Sequence, residues 1–512
     1  MRYRLAAIAA ILVLLVLGVA ATMADFHNGD KIRYVQHEDS AKLSDLSEKD
    51  RQAAQTTEID PENFATHLPI VTIDSRGKDI PGNVYFDETG HRVTGEGGRA
   101  VTIAAEDGNP YITADVATFD DNGDANRLSD KPELACPAHV NIRGNTSRLF
   151  DKKSYKVVFV DEDDETKRDA HKFLGMRSSS EWVLHGPELD KTLMRNYLTY
   201  TLADKYMNEW VPDTRFCEVF VNGEYKGIYL AVESIRVEEG RLELTDSSGP
   251  GGSTSYVVSV DKKGETTTTI NEFLHYTLRL TQYMAVEYPS KRDLNEARKR
   301  YIANDISSVE KALFSYDFDS TLWGWRATMD SSSFVDMFLL NEFVINDDFT
   351  SYSTYLYKDI RGRLTLGPCW DYNNCYDNYK DPTPPDHFYQ VERGWYFMLF
   401  KDPEFTERTI GRWRELRQGV YSDENIDKFI DGTVAYLGPA VERNYKVWGY
   451  TFDPANMDTN QKLEPDDRNP ANYEAAIAQL KTFMHERAKW MDENIENLRQ
   501  YSHRSATKKF QG

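Results

Sequence analysis

Between Asn341 and Asn378 the chain gathers carboxylates and amides at the ends of short elements. Asp347 and Asp348 follow an apolar helical period, and Asp371, Asn373 and Asn374 follow a strand–turn–strand signal. A hairpin between the two clusters would return the second toward the first. Carboxylates brought together in this way can share one divalent cation, because hard cations take oxygen ligands. Phosphoryl transfer uses such a pair: one carboxylate orients an acceptor hydroxyl while the other holds the metal that neutralises the phosphates. Asp and Asn also cap helices and build turns, so on residue type alone both readings stand.

Several elements must position these groups. The period of Phe334, Met337, Phe338, Asn341 and Val344 predicts a helix over 333–346. Thr354 to Lys358, the turn Arg361-Gly362-Arg363 and Leu364 to Gly367 predict the returning hairpin. Upstream, strands at 139–142 and 154–160 flank a polar turn. A helix is expected over 191–207, with Asp190 as its N-cap and Leu193, Met194, Tyr197, Leu198 and Leu202 on one face. Asn222-Gly223 between 216–221 and 225–232 is a strong two-residue hairpin signal. A strand is expected at 256–260, helical segments over 289–330 and 395–500, and a strand at 68–73 opening a turn-rich β segment to about 134. Strands first and helices later predict an α+β fold.

Composition bounds the partners. Of the 512 residues, 61 are Lys or Arg and 83 are Asp or Glu, a formal net charge of −22. So acidic a surface repels phosphate backbones, which argues against nucleic acid. Arg2 and Arg4 precede an uncharged, mostly apolar run from Leu5 to Met23. At about 1.5 Å per residue this run reaches roughly the thickness of a bilayer core. An uncleaved anchor and a cleaved signal, with Val19-Ala20-Ala21 suited to a peptidase, are both open. Either places the body outside the cytoplasm. Cys136, Cys217, Cys369 and Cys375 permit two disulfides in an exported protein, and Cys369 and Cys375 are close enough in sequence to bridge a short loop.

Five blocks, in order, carry a resemblance. Arg143-Gly144-Asn145-Thr146-Ser147 is followed by Lys152-Lys153-Ser154-Tyr155-Lys156. Trp182-Val183-Leu184 is followed by Asp190-Lys191-Thr192-Leu193-Met194-Arg195-Asn196. Then come Val221 to Leu230 with Glu233, Gly367-Pro368-Cys369-Trp370-Asp371, and Asp402-Pro403-Glu404-Phe405 with Arg412-Trp413 through Arg417. Together they resemble the CotH family of atypical, kinase-like proteins over residues 143–417. The resemblance implies a protein-kinase-like fold, ATP with Mg²⁺ or Mn²⁺ as cofactors, and a protein substrate phosphorylated on a hydroxyl, serine in particular.

Residue by residue, the resemblance assigns Asp348 as the catalytic carboxylate that accepts the hydroxyl proton and Asp371 as the metal-binding carboxylate. Lys153 is the first candidate for the lysine steadying the phosphates, and Lys156 the second. Arg143, Asn145 and Ser147 fall in the turn where a phosphate-covering loop would lie, and Leu230 to Glu233 would be the adenine-facing hinge. Two positions depart from the pattern. Ser353 stands where kinases carry a metal-binding Asn, and Asn373 replaces the second acidic residue of the metal run. A non-catalytic surface, adhesion or coat module that keeps the fold is the alternative.

Other chemistries find less support. G-x-S-x-G, P-loop and H-E-x-x-H patterns are absent. A glycoside hydrolase would explain Asp348 and Asp371 but not the block from Arg143 to Lys156. Gly95 to Gly98 is expected to be a plain turn, as is the Asp-rich run from Asp120 to Asp130. The expected organisation is an anchor or signal at 1–24, a linker or stalk at 25–65, a β-rich segment at 66–134, the CotH-like domain at 135–500 and a polar tail at 501–512.

Overall fold

The strands that begin after Leu68 close on themselves. In the computed structural model, which describes residues 33–39, 46–95, 99–120, 124–246, 251–262, 269–270, 283–457 and 462–503, seven strands form a barrel. They are β1 (Ile70–Asp74), β2 (Ile112–Phe119), β3 (Leu134–Arg143), β4 (Ser154–Phe159), β5 (Glu181–His185), β6 (Thr214–Val221) and β7 (Glu224–Glu233). Their order is β6-β7-β5-β4-β3-β2-β1, and a parallel β1–β6 pairing closes the ring. Alternate side chains fill the interior, among them Val71, Val116, Val140, Val157, Trp182, Val219 and Tyr229. The β6–β7 hairpin turns on Asn222 (φ 52°) and Gly223 (φ 77°), the left-handed pair that a two-residue turn demands.

Closure corrects two boundaries. The division at 134/135 separates no folded units, because β1 and β2 supply two staves of the same barrel as β3 to β7. The expected stalk is docked wherever it is described. Gln36 is buried, accepting the Phe216 N–H at 2.7 Å and donating to the Phe216 carbonyl at 3.1 Å. A short helix, Glu48–Ala54, packs through Ala54 and the preceding Leu46 against Ala65 and Ala125. Arg33 and Gln36 spend their polar side chains on backbone groups of the body, at Pro212 and Phe216, which hydropathy cannot reveal.

A second sheet stands beside the barrel, formed by β8 (Tyr256–Asp261), β9 (Thr269–Ile270), β10 (Tyr283–Tyr288), β11 (Thr354–Lys358) and β12 (Thr365–Leu366) in the order β9-β10-β8-β11-β12. Seven helices of ten residues or more are described: α1 (Arg195–Asp204), α2 (Glu296–Leu313), α3 (Ser331–Phe343), α4 (Pro403–Arg417), α5 (Asp423–Leu437), α6 (Pro439–Trp448) and α7 (Tyr473–Asn494). The fold is α+β, as expected. Helix α1 starts four residues later than expected because Leu193 takes φ 64°, which no helix tolerates. Every residue of α3 from Ser333 to Phe343 is buried, so this helix is the spine of the helical half.

Two fully buried ion pairs tie later helices to earlier elements: Arg443 of α6 to Glu218 of β6, and Arg487 of α7 to Glu342 of α3. Among the described residues no helix is long and apolar enough to cross a membrane. The run Leu5–Met23 lies outside the described residues.

Candidate active site

The carboxylate cluster is built on the end of α3. Past Phe343 the chain turns sharply through Ile345 (φ 49°). Asn346 fixes the turn: its side chain donates to Asn341 Oδ1 at 2.9 Å and accepts the Asp348 N–H at 3.1 Å. The Asn346 carbonyl accepts Gln390 Nε2 at 2.8 Å. Asp348 then anchors the next turn, its carbonyl accepting the N–H groups of Ser351 and Tyr352 at 3.0 and 2.7 Å. Strands β11 and β12 carry the chain out and back to Asp371.

Helix α1 holds that second arm. Tyr200 Oη accepts the Asp371 N–H at 2.9 Å, and Asn196 Oδ1 accepts the Tyr372 N–H at 2.7 Å. Arg195, itself paired with Asp190, donates to the Cys375 carbonyl at 3.1 Å. Asp371 is thereby held at φ 66°. Of ten non-glycine residues with positive φ among the described residues, six lie here: Ile345, Thr350, Ser353, Asp371, Tyr376 and Asp377. Strained backbone of this kind persists where surrounding contacts over-determine it, and it concentrates at working sites.

The two carboxylates act on each other. Burial, then the charges of Asp371 and Asp347, push the Asp348 carboxyl up to about 6, against a smaller opposing pull from Lys262. Burial also raises Asp371, with Arg143 opposing and Asp261 adding to the rise. Asp371 is exposed to solvent, and its neighbour Trp370 lines a cleft. Asp347 is neutralised by Arg393. The side chains of Asp348 and Asp371 have no ion pair or hydrogen bond among the described residues, so their oxygens are free to take a hard cation.

A cleft of about 410 Å³ opens between barrel and second sheet. Its apolar walls are Val183, Ile235, Val237, Val257, Tyr355 and Trp370; Arg143, Lys156, Arg236, Glu181 and Glu287 supply charge. Lys156 pairs with Glu181 at 2.9 Å. Burial alone would raise Glu181, but Lys156, Arg236 and Arg168 bring it down to about 2. The Arg143 guanidinium lies 5.7 Å from the Trp370 ring centroid, so Arg143 and Trp370 join the cleft to Asp371.

The family model described as CotH kinase protein matches residues 140–491, most of the chain. The chain belongs to the CotH kinase family. No curated protein is similar enough to the chain to match. In this CotH family member the signature blocks now have positions. The block Asp190 to Asn196 braces the Asp371 loop from below. In the block Arg143 to Ser147, Gly144 has φ 109°, and a Cβ there would fall 1.9 Å from Ser147 Oγ, so only glycine allows this turn. In the block Val221 to Leu230, Gly227 (φ 91°) lets α6 approach: a Cβ there would meet Asn444 Oδ1 at 2.4 Å.

Not every predicted CotH site residue comes together. Arg143 and Lys156 line the cleft, as does neither Asn145 nor Ser147. Asn145 Oδ1 instead accepts the Ala100 N–H at 3.5 Å. Lys153 donates to the Arg148 carbonyl at 2.8 Å and is outside the lining, whereas Lys156 is within it. Glu233 is buried, accepts the Asp213 N–H at 2.9 Å and faces Arg241; the next four residues, Ser234 to Val237, line the cleft. Asn373 spends its amide nitrogen on Asn374, and Ser353 takes φ 47° in the turn before β11. Among the described residues no three His, Cys, Asp or Glu converge as a metal cluster.

The Cys369–Cys375 bridge that the sequence permits is not formed. All four cysteines are free, and both of these are buried in the apolar core. Sequence reasoning missed Glu181, whose only signal was its place beside the Trp182-Val183-Leu184 block, and Asp261, which closes the predicted strand.

Proposed function

We propose that this CotH family member transfers the γ-phosphoryl group of ATP to a protein hydroxyl, serine in particular, with Mg²⁺ or Mn²⁺ as cofactor. The observation that supports the reading is that Asp348 and Asp371, on two separately braced arms, stand near enough for one charge to act on the other, with neither side chain in an ion pair, while Arg143 and Trp370 line the neighbouring cleft. The apolar walls suit a planar base, and Arg143 and Lys156 suit phosphate oxygens. Glu181 holds the Lys156 ammonium in the cleft. Asp348, raised to about 6, is ionised at neutral pH yet still basic enough to take the acceptor proton. As the acceptor oxygen bonds to the γ-phosphorus, the bond to the β–γ bridging oxygen breaks and ADP leaves. A divalent cation, held by Asp371 with Ser353 and Asn373 as neighbouring oxygen donors, would supply charge neutralisation at the phosphates.

Export follows from the apolar run behind Arg2 and Arg4, with the membrane as partner if that run is retained. The experiment that tests the reading is calorimetric titration with ATP: binding requires Mg²⁺ or Mn²⁺, and binding that ignores the metal counts against it. The replacement of metal ligands by Ser353 and Asn373 favours a second reading, a non-catalytic surface or coat module. That reading gains if nucleotide binds and no phosphate is transferred.

A further inference from the structure

Between β1 and β2 the chain leaves the barrel and builds a small knob over residues 82–95 and 99–103. Single bridges pair Val84 with Thr102, Phe86 with Arg92 and Thr94 with Ala100. At its centre three backbone hydrogen bonds form a ring: Tyr85 N–H to the Val101 carbonyl at 2.9 Å, Val101 N–H to Val93 at 2.9 Å, and Val93 N–H to Tyr85 at 3.1 Å. Each short strand is supported by the other two, so the knob is one hydrogen-bonded unit. Its root is fixed to the barrel. The Gly82 N–H donates to the Ile103 carbonyl at 2.9 Å, the Ile142 N–H donates to Pro81 at 2.8 Å, and Arg148 reaches the Gly82 carbonyl. A Cβ on Gly82 would fall 2.5 Å from the Ile142 carbonyl oxygen, so glycine permits this approach.

The other side of the knob touches the second sheet. Arg99 donates to the Lys262 carbonyl at 3.0 Å and to Asp261 Oδ2 at 3.1 Å. Val260 pairs with Thr354, which places Asp261 at the end of β8 beside the turn running from Asp348 to Ser353. Lys262 lies 5.0 Å from the ring centroid of Tyr352 in that turn. Ala100 meanwhile holds Asn145 in the turn after β3. The knob therefore joins the barrel, the turn from Gly144 to Ser147 and the end of the second sheet's central strand. The Arg99 and Asp261 side chains are 47% and 31% exposed, so water competes for the contact and it can part.

We infer that the knob is a latch between the two bodies that wall the cleft, in which the Arg99–Asp261 pair holds barrel and second sheet together and must part for a nucleotide to enter or leave. The ligand rests on the proposed function; the latch contact does not. The test uses the full chain in detergent with Mg²⁺ and a fluorescent ADP analogue, followed by stopped flow. Arg99→Ala and Asp261→Asn each release the analogue roughly two- to fivefold faster, the worth of a half-exposed ion pair. The exchanged pair Arg99→Asp with Asp261→Arg recovers most of the difference. Unchanged release in both single variants, or no recovery in the exchanged pair, overturns the latch. Amide hydrogen exchange without nucleotide is the second measurement: residues 99–103 and 256–262 exchange faster in each single variant, and unchanged exchange overturns the latch. If the wild-type chain binds no analogue, the nucleotide reading fails and the exchange measurement alone decides the latch.

Discussion

Tyr200 holds Asp371: the phenolic oxygen of a buried helix residue accepts the backbone N–H of the solvent-facing aspartate at 2.9 Å. The bond fixes a main-chain conformation, φ 66°, that aspartate adopts at a cost of about 1 kcal/mol or more. Helix α1 thus sets where the carboxylate points without touching it.

Tyr200→Phe removes the acceptor and leaves the Asp371 N–H without its partner. Mn²⁺ affinity, measured by electron paramagnetic resonance, falls roughly three- to tenfold, a loss of about 1 kcal/mol of positioning. The melting temperature moves by less than about 4 °C, because the ring still fills its place in the core. A large drop in melting temperature with unchanged affinity would make Tyr200 a packing residue only.

Asp348→Asn separates chemistry from stability. The folded carboxyl titrates about 6 and the unfolded one near 3.8. A raised carboxyl costs the fold nothing below the unfolded value, and the cost grows as pH rises from 3.8 to 6. Above pH 6 the asparagine variant is therefore more stable, by on the order of 1–3 kcal/mol. The gap closes below about pH 4. Thermal melts at pH 4 and pH 7.5 check this, and an equal difference at both would contradict it. Asp371→Asn instead weakens metal and nucleotide binding together.

The two lysines of the K-K-S-Y-K run diverge. Lys156→Ala lowers nucleotide affinity on the order of tenfold, because it removes a charge held in the cleft by Glu181. Lys153→Ala changes it by roughly twofold or less, since its ammonium serves the Arg148 carbonyl. Titration calorimetry on both variants distinguishes them, and the reverse order would move the phosphate site.

Gly227→Ala tests the junction of barrel and α6. A methyl group there meets Asn444 Oδ1, the acceptor for both the Ile228 N–H and the Lys152 ammonium. Its φ of 91° is also one that alanine avoids. The variant loses about 2–4 kcal/mol in denaturant unfolding. Near-wild-type stability would show that α6 is free to shift.

Much of this arrangement was legible locally. Asn222-Gly223 located its hairpin because the turn's left-handed backbone needs those residue types, and the apolar period of α3 put its end within a few residues of Asp348. That Asp348 and Asp371 act on each other was legible because a short hairpin separates them. What was hidden depends on distant pairing. Ile70 pairs with Glu218 across the barrel seam, and nothing near Ile70 announces it. The choice between Lys153 and Lys156 rests on which residue of the run faces the cleft once β4 is placed. Glu233 and Ser234 are neighbours in sequence, yet one braces the barrel and the other lines the cleft.

Transfer of radiolabelled γ-phosphate tests the central claim most directly. The chain beginning at residue 25, which keeps the docked segment from Arg33 onward, is incubated with labelled ATP and Mg²⁺ or Mn²⁺, with itself and a serine-containing protein as acceptors. The account predicts metal-dependent incorporation that is abolished in Asp348→Asn while that variant still binds ATP. Incorporation persisting undiminished in both Asp348→Asn and Asp371→Asn, or none in the wild-type chain with ATP and metal bound, would contradict it.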